Sequence, residues 1–146
     1  MVTNRIYRLN EGDFSVWLNS DQLENPNGLL IQGDKMIVAS WGKMTDGFST
    51  TVPGHLKQVS LADKSITSLG NAKPVGNLDG ITHDNAQGYF VTDWMQGGLF
   101  HFDAAGHATA VLDLNQGSAD HVYIAEQKLL IIPMMTDGTL IAYSVE

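Results

Sequence analysis

Read end to end, the chain repeats itself at intervals of a little over forty residues. Asn4-Arg5-Ile6-Tyr7-Arg8-Leu9, Gly54-His55-Leu56-Lys57-Gln58-Val59, Gly97-Gly98-Leu99-Phe100-His101-Phe102 and Gly138-Thr139-Leu140-Ile141-Ala142-Tyr143 are alike, and their starts lie 50, 43 and 41 residues apart. A second series, Asn27-Gly28-Leu29, Asp79-Gly80-Ile81 and Asp120-His121-Val122, is spaced by 52 and 41 residues. A third, Val38-Ala39-Ser40-Trp41, Val91-Thr92-Asp93-Trp94 and Ile132-Pro133-Met134-Met135, is spaced by 53 and 41. Three series in step define one structural unit, and a period of this size marks a repeat architecture. The longer first interval is absorbed by the polar stretch 43–53, which reads as a loop from its Thr, Ser, Asp-Gly and Pro content.

Each unit reads as four short strands. In the second, Gly80 to Asp84, Tyr89 to Trp94, Leu99 to Asp103 and Thr109 to Leu114 are rich in β-branched and aromatic residues, with turn residues between them. No long segment carries a capped apolar stripe of helical period, and the helical candidate near Ser20–Glu24 is stopped by Pro26. The fold class expected is all-β, built of four-stranded antiparallel β-propeller blades. A sandwich or small barrel would also have many short strands, but would not keep three series in step. The repeats fall at about 4–53, 54–96 and 97–137, with 138–146 a final strand, all in one domain. The strand count is a two-strand piece, two four-strand units and a three-strand piece, or about three blades per chain. Rings close with ~4 to 8 blades, so a homodimer completing a six-bladed ring is expected.

Composition narrows the partners. The formal charge is −8, from 16 acidic and 8 basic residues, and no Lys/Arg cluster interrupts it. Nucleic acid and anionic membrane surfaces reward clustered cations, so neither is expected as a partner. With no cysteine, thiol catalysis and thiolate metal sites are excluded. The longest apolar run, Leu129 to Met135, is far short of the ~20 residues of a membrane helix. The opening residues lack the apolar segment of a secretory signal, which makes a cytoplasmic location the default expectation.

The second series carries the chemistry. Asn27, Asp79 and Asp120 each stand at the start of the first strand of a unit. In a propeller that strand lines the central channel, so equivalent positions converge at one end of it. Converging amide and carboxylate oxygens suit a divalent cation, Ca²⁺ first, with Mg²⁺, Zn²⁺ or Mn²⁺ as alternatives. Asn-Gly and Asp-Gly are also ordinary turn dipeptides, as Asp46-Gly47 and Asp137-Gly138 are read here. Those two pairs sit in other phases of the repeat.

The run Leu23-Glu24-Asn25-Pro26-Asn27-Gly28-Leu29, followed by Asn77-Leu78-Asp79-Gly80-Ile81 and the strand Val91-Thr92-Asp93-Trp94, resembles the senescence-marker-protein, gluconolactonase and luciferin-regenerating-enzyme family of six-bladed propellers. It resembles only the C-terminal half of such proteins. The resemblance implies a divalent cation at the channel mouth, with Asn27 and Asp79 among its ligands. It also implies Asp79 as the acid/base of lactone hydrolysis. The family's glutamate ligand lies in a Glu-Gly-Pro context that has no counterpart here, since Glu11-Gly12 precedes Asp13 in another phase. Asp120 has no equivalent among the family ligands; either it replaces the missing carboxylate or a partner subunit supplies one.

Among the five histidines, His83 and His121 are the candidate substrate contacts. By strand alternation His83 shares a side with Asp79, and His121 adjoins Asp120; hydrogen bonding within a sheet is the plainer role for both. Trp41 and Trp94 recur at one phase, which fits packing between blades better than sugar stacking, and Met134-Met135 reads as core filler. No nucleophile elbow, phosphate loop or dinucleotide fingerprint is present. The function expected is a metal-binding propeller with lactonase-like hydrolysis, or small-molecule binding, at the channel mouth. The rival is a non-catalytic propeller scaffold for protein or ligand binding.

Overall fold

The computed structural model describes residues 2–145, and among them there is no α-helix. Strands β1 (Arg5–Asn10) and β2 (Asp13–Asn19) form a hairpin sheet. After a single 3₁₀ turn (Asp21–Leu23) come β3 (Pro26–Gln32) and β4 (Lys35–Ser40). A short side hairpin, β5 (Gly42–Met44) and β6 (Thr50–Pro53), precedes β7 (Leu56–Ser60) and β8 (Ile66–Ser68). The second large sheet holds β9 (Leu78–His83), β10 (Tyr89–Asp93), β11 (Gly98–Phe102) and β12 (Ala108–Leu112). The last is β13 (Val122–Ile124), β14 (Leu129–Met134) and β15 (Thr139–Ser144).

Pairing follows chain order. The large sheets run β3-β4-β7-β8 and β9-β10-β11-β12, the last runs β13-β14-β15, and all pairs are antiparallel. The strands expected from composition are therefore present in their expected grouping. Counting repeats from residues 4, 54, 97 and 138 starts them at β1, which opens the two-stranded sheet, and at β7, β11 and β15, the third strands of their sheets. The stretch 43–53 is corrected: it is not a bare loop, because Lys43 pairs with Val52 and Gly42 with Pro53 in the β5–β6 hairpin. Its Thr-Thr-Val run has β propensity that the surrounding polar residues obscured.

The core explains why the central strands read as continuous apolar runs. Successive residues of a strand point to opposite faces, and these sheets are covered on both. In β4, Ile37 and Ala39 join Leu56, Leu78, Ile81, Tyr89, Val91 and Phe102 in one cluster between the two large sheets. Val38, between them, turns the other way and packs with Val59, Leu23 and Ile6 of β1. In β10, Phe90 faces away from Tyr89 and Val91 and meets Leu99, Leu130, Ile132 and Met134. Each cluster thus fills the gap between one sheet and the next, and the sheets stack face to face in sequence order.

Polar side chains tie the stack together at one end. The Asn77 amide donates to the Trp41 carbonyl at 2.9 Å and to Thr50 Oγ1 at 3.1 Å. At the same phase in the next sheet, Ser118 Oγ donates to the Asp93 carbonyl at 2.7 Å and accepts from Gly98 N–H at 3.1 Å. Asn77→Ala would leave the buried Trp41 carbonyl short of a donor at the seam between two sheets. A loss of about 1–3 kcal/mol is expected from urea unfolding. An unchanged midpoint would show that Asn77 is not a tie between the sheets.

Candidate functional site at the head of the inner strands

The candidate ligands share one backbone device. In the first large sheet Pro26 pairs with Ser40 and Leu29 with Val38, so three steps along β3 oppose two along β4. In the second, Leu78 pairs with Asp93 and Ile81 with Val91, the same excess of one residue. In the third, the bridge Ser118–Met134 and the pair Val122–Ile131 set four steps against three. The extra residue falls at Asn27-Gly28, at Asp79-Gly80 and at Asp120-His121. A β-bulge re-aims the side chain at its position and sharpens the local twist. The recurring dipeptides are therefore bulges rather than turns.

The glycines confirm the distinction. Gly47 and Gly138 have φ of +68° and +64° with open space around them, as turn glycines do. Gly28 and Gly80 lie within strands. A Cβ on Gly28 would stand 2.3 Å from the Asp79 carbonyl oxygen, and one on Gly80 would stand 2.6 Å from Asp120 Cα. Each glycine lets its inner strand press against the head of the next one. That contact brings Asn27, Asp79 and Asp120 into one neighbourhood, as their shared phase predicts.

The electrostatics report the same proximity. Burial raises the carboxyl of Asp79, the neighbouring charge of Asp120 raises it further, and a hydrogen bond from the Asn27 side chain holds it back, leaving it at about 6. Thr92 Oγ1 locks the bulge by accepting from Gly80 N–H at 2.9 Å and donating to the Ala119 carbonyl at 2.9 Å. Among the described residues no group of three or more His, Cys, Asp and Glu gathers in a metal-holding arrangement. The site offers two carboxylates and one amide.

The two histidines part company. His121 is 8% exposed, sits against Gly80 and pairs through Nε2 with Thr82 Oγ1 at 3.0 Å. Its Nδ1 is buried with no hydrogen-bond partner among the described residues, and desolvation pulls the ring down to about 4, so it is neutral at pH 7. His83 lies four residues beyond Asp79, roughly 13 Å along the strand at ~3.3 Å per residue. There it packs on Tyr89 with ring centroids 5.7 Å apart. The bulge between them breaks the simple alternation that would place both on one side.

Beside Asn27 and Asp79 opens a cavity of about 330 Å³, walled by Trp41, Trp94, Met135 and Phe48. Trp41, Trp94 and Met135 are one repeat position in three successive sheets. The two indoles do pack across the sheets, with centroids 6.0 Å apart, and they also form the wall. Trp94 Nε1 reaches Met135 Sδ at 3.4 Å, and Trp41 Nε1 donates to the Phe48 carbonyl at 3.0 Å. Met135, read from sequence as core filler, is instead 64% exposed at the cavity. Phe48 comes from the turn of the β5–β6 hairpin and stacks edge-on to Trp41 at 6.1 Å. Its place on a polar stretch hid it from the sequence pattern.

No family model matches the chain, and no curated protein matches it. Two solved structures are similar across nearly its whole length. A chain of the nidogen/laminin complex superposes with a TM-score of 0.68 at 13% identity, over 96% of this chain and 58% of that one. A gluconolactonase from Xanthomonas campestris superposes with a TM-score of 0.64 at 16% identity, over 90% of this chain and 42% of the other. The fold is a β-propeller fold. The chain spans roughly half the length of each of these propeller neighbours.

The charge at the head of the inner strands yields a stability prediction. A free aspartate ionises near 4, whereas Asp79 ionises at about 6. Between those values the folded chain keeps a proton that the unfolded chain has lost, so stability falls as pH rises through this window. Asp79→Asn is therefore expected to raise the urea midpoint near pH 8 and leave it close to wild type near pH 4. Equal midpoints near pH 8 would remove the argument that Asp79 is crowded.

Proposed function

We propose that Asn27, Asp79 and Asp120 hold a divalent cation, Ca²⁺ first, and that the cavity beside them takes a small molecule for lactonase-like hydrolysis. The observation that carries this reading is the bulge repeated at one phase in three successive sheets, which brings three oxygen donors together and sets two of them, Asn27 and Asp79, on one apolar cavity. The donor set fits a hard ion: carboxylate and amide oxygens, with burial and then the nearby charge of Asp120 keeping Asp79 protonated to about pH 6. A bound cation would polarise the lactone carbonyl and lower the pKa of an attacking water.

The chain's own residues supply the remainder. Asp79, beside the cavity and hydrogen-bonded by the Asn27 side chain, is the carboxylate placed to accept or return a proton. The Asn27 side chain hydrogen-bonds that carboxylate and fixes its orientation. Trp41, Trp94, Phe48 and Met135 wall the cavity beside the carboxylate and offer a small molecule an apolar surface. His121 backs Asp120 and props Thr82, a support for the inner strands rather than a wall of the cavity.

The reading extends to a second copy of the chain. The hairpin β1–β2 presents Tyr7, Leu9, Phe14 and Val16 to solvent on one face, while Ile6 faces the core. Tyr7 and Phe14 stack at 5.2 Å on that bare face. At the other end of the stack Val122 and Leu140 are exposed. Apolar sheet faces of this kind are what a further blade covers, and a homodimer closing the ring would cover both. Light scattering after size exclusion is expected to give the mass of two chains; a clean 16 kDa monomer would sink the dimer.

The catalytic reading is tested by calorimetry with Ca²⁺ and by lactone hydrolysis with and without chelator. Wild type is expected to bind the ion and lose activity on chelation. Asp79→Asn should weaken binding and cut hydrolysis by a factor of about 10² to 10⁴. Activity surviving that change would defeat the assignment, and Ca²⁺ binding without turnover of any lactone would favour the scaffold reading.

A further inference from the structure

Away from the channel mouth, the outer half of the first large sheet gathers a serine, a histidine, a lysine and a glutamate. His55 and Lys57 stand two residues apart on one face of the β7 segment, and Ser68 of β8 lies directly opposite Lys57 in the ladder. His55 Nε2 meets Ser68 Oγ at 2.9 Å. Behind the ring, His55 Nδ1 faces Glu24 Oε2 at 3.9 Å, and the same carboxylate oxygen takes Lys57 Nζ at 2.8 Å. Lys43 Nζ approaches the other oxygen of Glu24 at 3.7 Å. A cavity of about 240 Å³ opens over the group, bounded by Gln22, Glu24, Lys57, Ile66, Thr67 and Ser68.

Three details separate this arrangement from a chance polar contact. His55 and Lys57 are buried while Ser68 is exposed, so the base and the cation are held and the hydroxyl is accessible. Glu24 and Asn25 both adopt left-handed backbone conformations, φ of 50° and 58°, which non-glycine residues rarely do in succession. That strained pair carries the Glu24 carboxylate over β7. Desolvation and the charge of Lys57 both pull His55 down, with Glu24 opposing, which leaves the ring as a free base at neutral pH.

We propose that Ser68 is an activated nucleophile, with His55 as its general base, Lys57 beside the developing oxyanion and Glu24 as a positioning residue, and that the site accepts small activated esters. Ser68 Oγ attacks the ester carbonyl carbon, and its proton passes to His55 Nε2. Lys57 faces the negative charge that forms on the carbonyl oxygen. The bond to the leaving alkoxide breaks as His55 returns the proton to it, and water then releases the acid from the acyl-serine by the same steps in reverse order.

The test is covalent labelling of the intact chain with a fluorophosphonate probe, followed by peptide mass mapping. One adduct on Ser68 is expected, absent in Ser68→Ala and slowed by about 100-fold in His55→Gln. Asp79→Asn should label at the wild-type rate, which separates this site from the channel mouth. In the wild type the labelling rate should rise with pH through a midpoint below that of an ordinary imidazole. Glu24→Gln should move that midpoint lower still, because it removes the negative charge facing the ring while Lys57 and Lys43 remain. An unlabelled Ser68, or a Ser68 rate with no such midpoint, overturns the proposal without need of the His55 variant. An unchanged rate in a folded His55→Gln chain overturns it as well.

Discussion

The close approach of one inner strand to the next governs this structure. Gly28 lies against the Asp79 carbonyl, and Gly80 against Asp120, at distances no side chain tolerates. Where sheets are stacked by broad apolar faces, their spacing is about 10 Å and set by side-chain volume. At the heads of the inner strands the glycines put no side chain of their own between the sheets, and the sheets converge. That convergence lets the Asn77 amide and the Ser118 hydroxyl reach carbonyls of the preceding sheet. It also lets one wall be made of residues from three sheets. The extra residue in each inner strand belongs to the same device, because a bulge tightens twist where strands crowd and redirects the side chain that would otherwise enter the ladder.

The crowding has an electrostatic cost that packing alone does not relieve. Asp79 is partly desolvated and faces the like charge of Asp120, and only the Asn27 side chain opposes the resulting rise in the Asp79 pKa. Elsewhere the chain neutralises its buried charges locally. Glu24 has Lys57, and Asp84 has the His101 ring at 2.8 Å together with two backbone donors. Asp93 is buried and accepts from the Met95 and Gln96 N–H groups, yet burial still pushes its carboxyl above the usual carboxylate range. Asp79 differs from them in two respects: a second carboxylate, Asp120, stands close to it, and it borders a cavity. A carboxylate perturbed by burial and by a specific charged neighbour, beside a cavity, is a functional-site candidate.

Much of this was legible in the residues. Period and composition together placed the strands, because strands buried on both faces keep apolar, β-branched runs between turn residues. The equivalence of Asn27, Asp79 and Asp120 was legible too, since one phase of a repeat occupies one place in each sheet. What the spacing could not carry was the register. A one-residue bulge leaves no composition signal, yet it undoes the alternation that placed His83 beside Asp79. Phe48 was hidden for a different reason: its role depends on a hairpin formed inside a polar stretch. The pairing of Ser68 with His55 was hidden because it crosses between β7 and β8 and depends on the outer-strand ladder, which no motif records.

The aromatic position shows how repetition and specialisation coexist in one fold. Trp41, Trp94 and Met135 descend the same side of three successive sheets, so the backbone presents each of them to the same cavity. Two are indoles, which offer flat apolar faces together with a polar N–H. Trp41 spends its N–H on the carbonyl of Phe48 and so fixes the side hairpin in place; Trp94 directs its own toward the sulfur of Met135. The third position is a flexible thioether that can adapt to whatever lies against it. Three rigid rings at this phase would define one shape. Two rings, a thioether and a phenyl group borrowed from the longer repeat make a wall that is fixed on one side and compliant on the other. The irregular first interval of the sequence is thus the part of the chain that individualises the cavity, while the regular remainder supplies its frame.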